Sequence, residues 1–331
     1  MTKPRLKPLA DQVLVITGAS SGIGLITARL AVERGARVLL VARDEASLRT
    51  IAAELGDRAD FAVADVAHAA EVEAAAAKAV ARFGRIDTWV NNAGVAIYGG
   101  LEQVPEDEHQ RLFQTNYFGV VHGCLAALPH LKESGGALIT VASIAADIPS
   151  PGMGAYTASK HAVKAYVDSL RIELNAQGAP VSVTVVKPSG MATPIDQNAA
   201  NHLDGQPLIP PPVYDPKISA ETILDAAVRP VRAVTVGGIG RLQVLSGSLF
   251  PGLLAKFGGL MLPLLLDRDR PRPAGNNLDL PRTDGEERSP VETGRSFSLY
   301  REATKRGGIV PLLGVAALVG GVLLARRKRD G

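Results

Sequence analysis

The sequence predicts an α/β fold of the Rossmann type: a doubly wound parallel sheet of about seven strands, followed by a C-terminal extension. Three observations carry this. Short apolar runs alternate with helical patterns from Val13 to about Val236. The runs are apolar throughout, as strands covered by helices on both faces must be. The first run leads directly into a glycine-rich turn, Thr17-Gly18-Ala19-Ser20-Ser21-Gly22-Ile23-Gly24, which opens a helix.

Taken in order, Val13–Thr17 reads as a buried strand and 22–34 as a helix. Arg37–Ala42 and Glu45–Leu55 repeat the pair, as do 61–64 and Ala69–Phe83. A fourth strand, 88–92, precedes a long helix at 106–131. A fifth, 137–143, precedes a helix at 156–177, and a sixth lies at 181–187. Residues 191–217 are rich in Pro, Asn and Gly without a clear period. A loop this long at the carboxyl end of a strand lies at the ligand crevice of such a sheet, and it reads as a substrate lid. A helix at 219–229, with Ser219 as its N-cap, and a short strand at 233–238 complete the unit.

The domain organisation follows: an arm at 1–11, a catalytic domain at 12–266, a charged flexible linker at 267–306, an uncharged stretch at 307–325 and a basic tail at 326–331. The arm lacks the apolar core of a signal peptide, which places the catalytic domain in the cytoplasm. The uncharged stretch is close to the lower length limit of a membrane-spanning helix and is flanked by Arg326, Arg327, Lys328 and Arg329. It is expected to be a transmembrane helix that makes the protein membrane-associated.

Composition excludes several classes. The formal charge is only +3, with one Trp and no basic stripe interleaved with aromatics, so no nucleic acid partner is expected. The lone cysteine, Cys124, cannot form an internal disulfide and sits in an apolar helical stretch, where it reads as a small buried hydrophobe. The six histidines show no metal-ligand spacing, so no metal is expected.

The glycine turn carries the first chemistry. Gly18, Gly22 and Gly24 let the backbone approach a pyrophosphate, and Ser20, Ser21 and Ile23 stand at a helix N-terminus whose N–H groups and dipole favour an anion. The end of the second strand reads the adenosine ribose: an acid there binds the 2′-hydroxyl, a base accommodates a 2′-phosphate. Here Ala42 is followed by Arg43, which favours NADP(H) over NAD(H), while Asp44 is placed to cap the next helix.

The second chemistry lies at Tyr156 and Lys160, four apart on one helical face. A phenol titrates near 10, and lowering it to about 7 requires roughly 4 kcal/mol of differential stabilisation. A fixed ammonium beside an oxidised nicotinamide would supply it. Ser143, at the end of the fifth strand, is placed to hydrogen-bond a substrate oxygen.

Together the 17–24 turn, Asn91-Asn92-Ala93-Gly94, Ser143 and Tyr156-xxx-Lys160 resemble the single-domain branch of the short-chain dehydrogenase/reductase family, over roughly residues 11–238. The resemblance implies a hydride exchange between nicotinamide and an alcohol or ketone, with Tyr156 moving the proton, Ser143 orienting the oxygen and Lys160 binding the nicotinamide ribose. It implies that Asn116 supports a water relay to Lys160 and that Asp65 and Val66 contact the adenine. Asn92, Ala93 and Gly94 would line the adenosine ribose. Pro188, Ser189, Met191 and Thr193 would hold the nicotinamide carboxamide, with Ser189 standing where the family has glycine. A homodimer or homotetramer built on the helices carrying Asn116 and Tyr156 is also implied.

A tethered domain with an apolar lid (Leu208, Ile209, Val213) suggests a lipophilic substrate. Two other readings compete. One is a catalytically silent NADP-binding scaffold, which would need none of Asn116, Ser143, Tyr156 or Lys160. The other is a sugar-nucleotide epimerase of the extended branch, against which the glycine spacing counts.

Overall fold

The computed structural model describes residues 4–209, 211–271, 275–282 and 285–297. Its centre is a seven-stranded parallel sheet: β1 (Val13–Thr17), β2 (Arg37–Ala42), β3 (Ala59–Val63), β4 (Thr88–Asn91), β5 (Ala137–Val141), β6 (Ser182–Pro188) and β7 (Ala233–Val236). The order across the sheet is β7-β6-β5-β4-β1-β2-β3. The strand order therefore reverses between β1 and β4, and a crevice opens at their carboxyl ends.

Alternation along each strand divides the core in two. Val13 and Val15 face one side with Leu39, Val41 and Trp89, against α3 (Ala69–Phe83), α5 (Gly119–Ser134) and α6 (Gly154–Ala176). Leu14 and Ile16 face the other with Val38 and Leu40, against α1 (Gly22–Glu33), α2 (Glu45–Leu55) and α7 (Lys217–Val228). Every residue of β1 is buried, which is why the strand reads as an unbroken apolar run. Asp44 caps α2 as expected, accepting from the N–H groups of Ala46 (3.1 Å) and Ser47 (3.4 Å).

Within residues 12–266 the structure departs from the sequence expectations in three places. The helix expected over 106–131 divides into α4 (Glu106–Phe113), a π turn (Gln114–Phe118) and α5. Such turns insert a residue and often sit at functional sites; this one carries Asn116. Ser219 does not cap α7, which starts two residues earlier behind Pro216; its hydroxyl is buried against the Met191 sulfur at 3.4 Å. The lid contains a helical turn (Ile195–Asn198) and two short strands, Ala200–Asn201 and Gln206–Pro207. Residues 245–266 form α8 (Gly238–Leu249), α9 (Pro251–Phe257) and a 3-10 helix (Gly258–Leu265), the last leading to a pairing of Leu266 with Pro207.

The stretch expected as a solvated linker, 267–306, behaves differently where it is described. Residues 275–282 and 285–297 lie against the catalytic unit and bury Leu278 to 1% exposure. Residues 307–325 and the basic tail lie outside the described residues. No helix among the described residues is long and apolar enough to cross a membrane.

Candidate active site

The carboxyl ends of the strands open into one cavity of about 810 Å³. Of the candidate catalytic and cofactor-binding residues, all but Gly24 and Asn116 line it: Gly18, Ser20, Ser21, Gly22, Ile23, Arg43, Asp65, Val66, Asn92, Ala93, Gly94, Ser143, Tyr156, Lys160, Pro188, Ser189, Met191 and Thr193; of the apolar lid residues Leu208 and Ile209 do and Val213 does not.

Gly24 and Asn116 lie directly behind this lining. A Cβ on Gly24 would stand 2.1 Å from the Gly18 carbonyl oxygen, so only glycine lets α1 start this close to its own turn. Gly18 and Gly22 take positive φ, +64° and +53°. The Asn92 amide locks the turn, donating to the carbonyls of Thr17 (2.9 Å) and Gly18 (3.1 Å), while the Thr17 hydroxyl accepts from the Asn92 and Ala93 N–H groups. The residues present fit a dinucleotide. A helix N-terminus faces the cavity through Ser20, Ser21, Gly22 and Ile23, and Thr115 and Ser189 also line it, their buried hydroxyls without a protein partner.

At the far end of β2, the Arg43 guanidinium lies 3.9 Å from Asp65, which also accepts from Arg111 at 2.5 Å. Burial opposes the Asp65 charge, but the Ala67 N–H, Arg111 and Arg43 together hold its pKa below the ordinary carboxylate value. Arg111 carried no signal in the sequence, because it belongs to a charged helix face and is brought to Asp65 only by packing.

The candidate catalytic residues converge at the other end. Tyr156 and Lys160 sit on the first turns of α6, the ammonium 5.5 Å from the centre of the phenol ring. The Lys160 Nζ donates to the Val141 carbonyl at 3.4 Å. Asn116 is wholly buried in the π turn. Its Oδ1 accepts from the Val95 N–H (2.8 Å) and its Nδ2 donates to the Val95 carbonyl (3.0 Å) and the Ser159 hydroxyl (3.1 Å). A Cβ on Gly94 would meet Asn116 Oδ1 at 3.3 Å and Lys160 Nζ at 3.5 Å, so that glycine keeps the two groups close. Ser143 hydrogen-bonds Tyr156.

The electrostatics differ from the sequence expectation of a phenol lowered by lysine. Burial pushes Tyr156 up to about 12, against the Ser143 hydrogen bond that favours the phenolate. Burial lowers Lys160 to about 8. Removal from water disfavours the charged form of each group. Ser189 fits its position without strain: its N–H donates to Val236 O at 2.9 Å, and no non-glycine residue among those described takes positive φ.

Two further residues face the cavity that sequence reasoning missed. Tyr98 donates to Asp196 Oδ1 at 2.6 Å, while Oδ2 of Asp196 is buried without a partner. Burial raises Asp196 to about 7. Asp196 lies in the aperiodic lid, where nothing in the sequence distinguishes a buried carboxyl from a solvated one. Cys124 is buried, as expected, and burial pushes its thiol up to about 12. Among the described residues no cluster could hold a metal ion.

Comparison with known proteins agrees with this geometry. Residues 12–204 match the family model described as short chain dehydrogenase. The chain is 38% identical to the uncharacterized oxidoreductase YxnA of Bacillus subtilis (strain 168), over 99% of this chain and 94% of that one. It is 31% identical to a 3-beta-hydroxysteroid dehydrogenase of Comamonas testosteroni, over 64% and 82%. Among solved structures, a 3-ketoacyl-(acyl-carrier-protein) reductase from Brucella melitensis complexed with NADH superposes with a TM-score of 0.60 at 30% identity, covering 70% of this chain and 98% of that one.

Proposed function

The chain belongs to the short-chain dehydrogenase/reductase family, oxidoreductases acting on CH–OH and C=O groups with a nicotinamide cofactor, and we propose that it is an NADP(H)-dependent reductase or dehydrogenase of a lipophilic ketone or alcohol. The observation that carries the reading is the convergence of Ser143, Tyr156 and Lys160 on one end of a cavity whose opposite end holds Arg43. A scaffold would need no such convergence.

The bound nicotinamide supplies the hydride, or accepts it. The protein supplies orientation and the proton. Ser143 and the Tyr156 hydroxyl hold the substrate oxygen, and Tyr156 gives its proton to that oxygen on reduction or takes it on oxidation. Burial keeps the phenol protonated, the form that reduction draws on. Lys160, backed by Asn116 and Val141, would bind the nicotinamide ribose and restore the proton. Thr193 and Ser189 would orient the carboxamide, and Asn92, Ala93, Gly94, Asp65 and Val66 the adenosine half.

The cofactor preference rests on Arg43, with Ala42 rather than an acid at the strand end. Lipophilicity rests on the lid and on α8 and α9. Leu203, Leu208, Ile209, Leu254 and Leu265 line the cavity mouth. Beside them Leu249, Phe250, Leu253, Phe257 and Leu260 are largely exposed, an apolar surface that suits contact with a bilayer. The relative named as a hydroxysteroid dehydrogenase supports an apolar substrate class. Exposed Phe118, Leu125 and Ile172 on the π turn, α5 and α6 suit a homodimer or homotetramer.

The test is a panel of ketones of increasing apolar surface, followed by NADPH absorbance, alongside titration of NADPH and NADH. Turnover rising with apolar surface and tighter NADPH binding, lost in Arg43→Ala, are expected. Equal affinity for both dinucleotides in the unaltered protein removes the NADP assignment, and indifference to substrate apolarity removes the lipophilic one.

A further inference from the structure

The C-terminal segment beyond the lid crosses the mouth of the dinucleotide crevice and touches both of its walls. On one wall the backbone carbonyls of Asn277, Leu278 and Asp279 accept from the Arg43 guanidinium at 2.5, 2.8 and 3.2 Å. The Leu278 carbonyl also accepts from Arg111 Nε at 2.9 Å. The Leu278 side chain is inserted among Val95, Ile97, Leu112, Ala155 and Ala200. On the other wall the Asn277 N–H donates to Asn198 O (2.8 Å), Arg282 donates to Gln197 O (2.9 Å), and the Ser289 N–H donates to Ala192 O (3.0 Å). Above the phosphate turn the Glu286 carbonyl accepts from the Gly22 N–H at 2.8 Å, and Glu287 pairs with Arg29 at 2.8 Å. Asn277, Pro281 and Arg282 line the same cavity as Gly18, Asn92 and Lys160, so the segment walls the cavity rather than filling it.

We propose that residues 275–282 and 285–297 form a strap that closes over the bound dinucleotide, in which Leu278 is the anchor, the carbonyls of 277–279 position Arg43, and Arg282 adds a cationic contact to the dinucleotide phosphates. The chemistry of Arg43 makes this coherent. A guanidinium has five N–H donors in a fixed fork, and the three carbonyl bonds leave two of them. A flexible arginine loses conformational freedom when it grips a phosphate; one already held by three carbonyls loses less. The strap is thus a specificity element for the dinucleotide and a barrier to its release. This rests on reading the crevice as a dinucleotide site, and the experiment separates the two.

In the full-length protein, Leu278→Asp places a charge in an apolar socket and undocks the strap, while Leu278→Met keeps the anchor. Arg282→Ala removes the cation from a half-buried position with little effect on folding. Circular dichroism melts confirm that each variant is folded. The measurement is dissociation of NADPH and of NADH, by loss of bound-nucleotide fluorescence on dilution into excess unlabelled nucleotide. Leu278→Asp is expected to speed NADPH release at least tenfold and to reduce the NADPH-over-NADH preference, with Leu278→Met restoring both. Arg282→Ala is expected to speed the release of both nucleotides severalfold. Unchanged release in Leu278→Asp and Arg282→Ala overturns the strap, and so does tighter binding in Leu278→Asp, which would make the segment a competitor. A protein that prefers NADPH yet releases it equally fast in every variant retains the cofactor reading and loses the strap. Failure of the unaltered protein to bind either nucleotide removes both.

Discussion

At the scale of single residues, the site sets two buried acids and one buried base against water. Tyr156→Phe removes one hydroxyl and keeps the ring, so folding and dinucleotide binding should survive. Turnover should fall by about 10²-fold or more, the usual loss for an acid–base group; near-normal turnover would mean that another group moves the proton. Lys160, lowered to about 8, should impose a fall in reductive activity as pH rises past that value, since the ammonium is then lost. Asp196 makes a different prediction. Its pKa is raised to about 7 in the folded protein from an ordinary 3.8. The unfolded chain therefore releases this proton first as pH rises. The resulting destabilisation grows between about pH 4 and pH 7 and is constant above. Asp196→Asn should thus raise the melting temperature more at pH 8 than at pH 4. A difference independent of pH would show that Asp196 is not held protonated by burial.

At the scale of elements, local geometry decides what each side chain can reach. The turn before α1 works because Gly24 stands against the Gly18 carbonyl. Gly24→Ala should abolish measurable dinucleotide binding and destabilise by about 1–3 kcal/mol, the usual cost of an overpacked methyl group. Thermal melting and nucleotide titration on the same sample check both halves of this. The π turn does similar work for Asn116. A regular helix from Glu106 onward would rotate the amide away from Val95; the inserted residue aims it at the backbone beneath Gly94. Such a turn has no mark in the sequence, because its residues continue the helical pattern on both sides.

For the whole molecule, the compact unit runs from Met1 to Phe297. A chain ending near Asp267 would lose the strap, whereas one ending at Phe297 keeps it. The proposed membrane association assigns the tether to 307–325 and the contact surface to α8, α9 and the 3-10 turn. The full-length protein should then sediment with phospholipid vesicles, and the chain ending at Phe297 should do so markedly less while binding NADPH equally well. Recovery of the full-length protein in the aqueous fraction would remove the tether. Equal sedimentation of both would transfer the role to the exposed leucines and phenylalanines of 249–260.

The sequence by itself determined the seven strands, the crevice at their carboxyl ends, and the phosphate turn and the Tyr156–Lys160 pair that line it. Those features rest on local rules: apolar runs for buried strands, glycine for close backbone approach, and a spacing of four for residues sharing a helix face. Asp44 was legible as a cap, and Cys124 as a buried hydrophobe, for the same reason. Asn116, Asp65, Val66, Asn92–Gly94 and the 188–193 segment came only with the family resemblance. Only the tertiary structure decided the partners of groups far apart in the chain. Arg111 reaches Asp65 across 46 residues, Tyr98 reaches Asp196 across 98, and Arg43 reaches the carbonyls of 277–279 across more than 230. A segment crowded with Arg, Asp, Pro and Gly reads as solvated because its side chains offer little apolar surface. Its docking depends largely on backbone carbonyls, which every residue carries alike, on pairs such as Arg29 with Glu287, and on one leucine, Leu278, whose socket is assembled from five residues in four other parts of the chain.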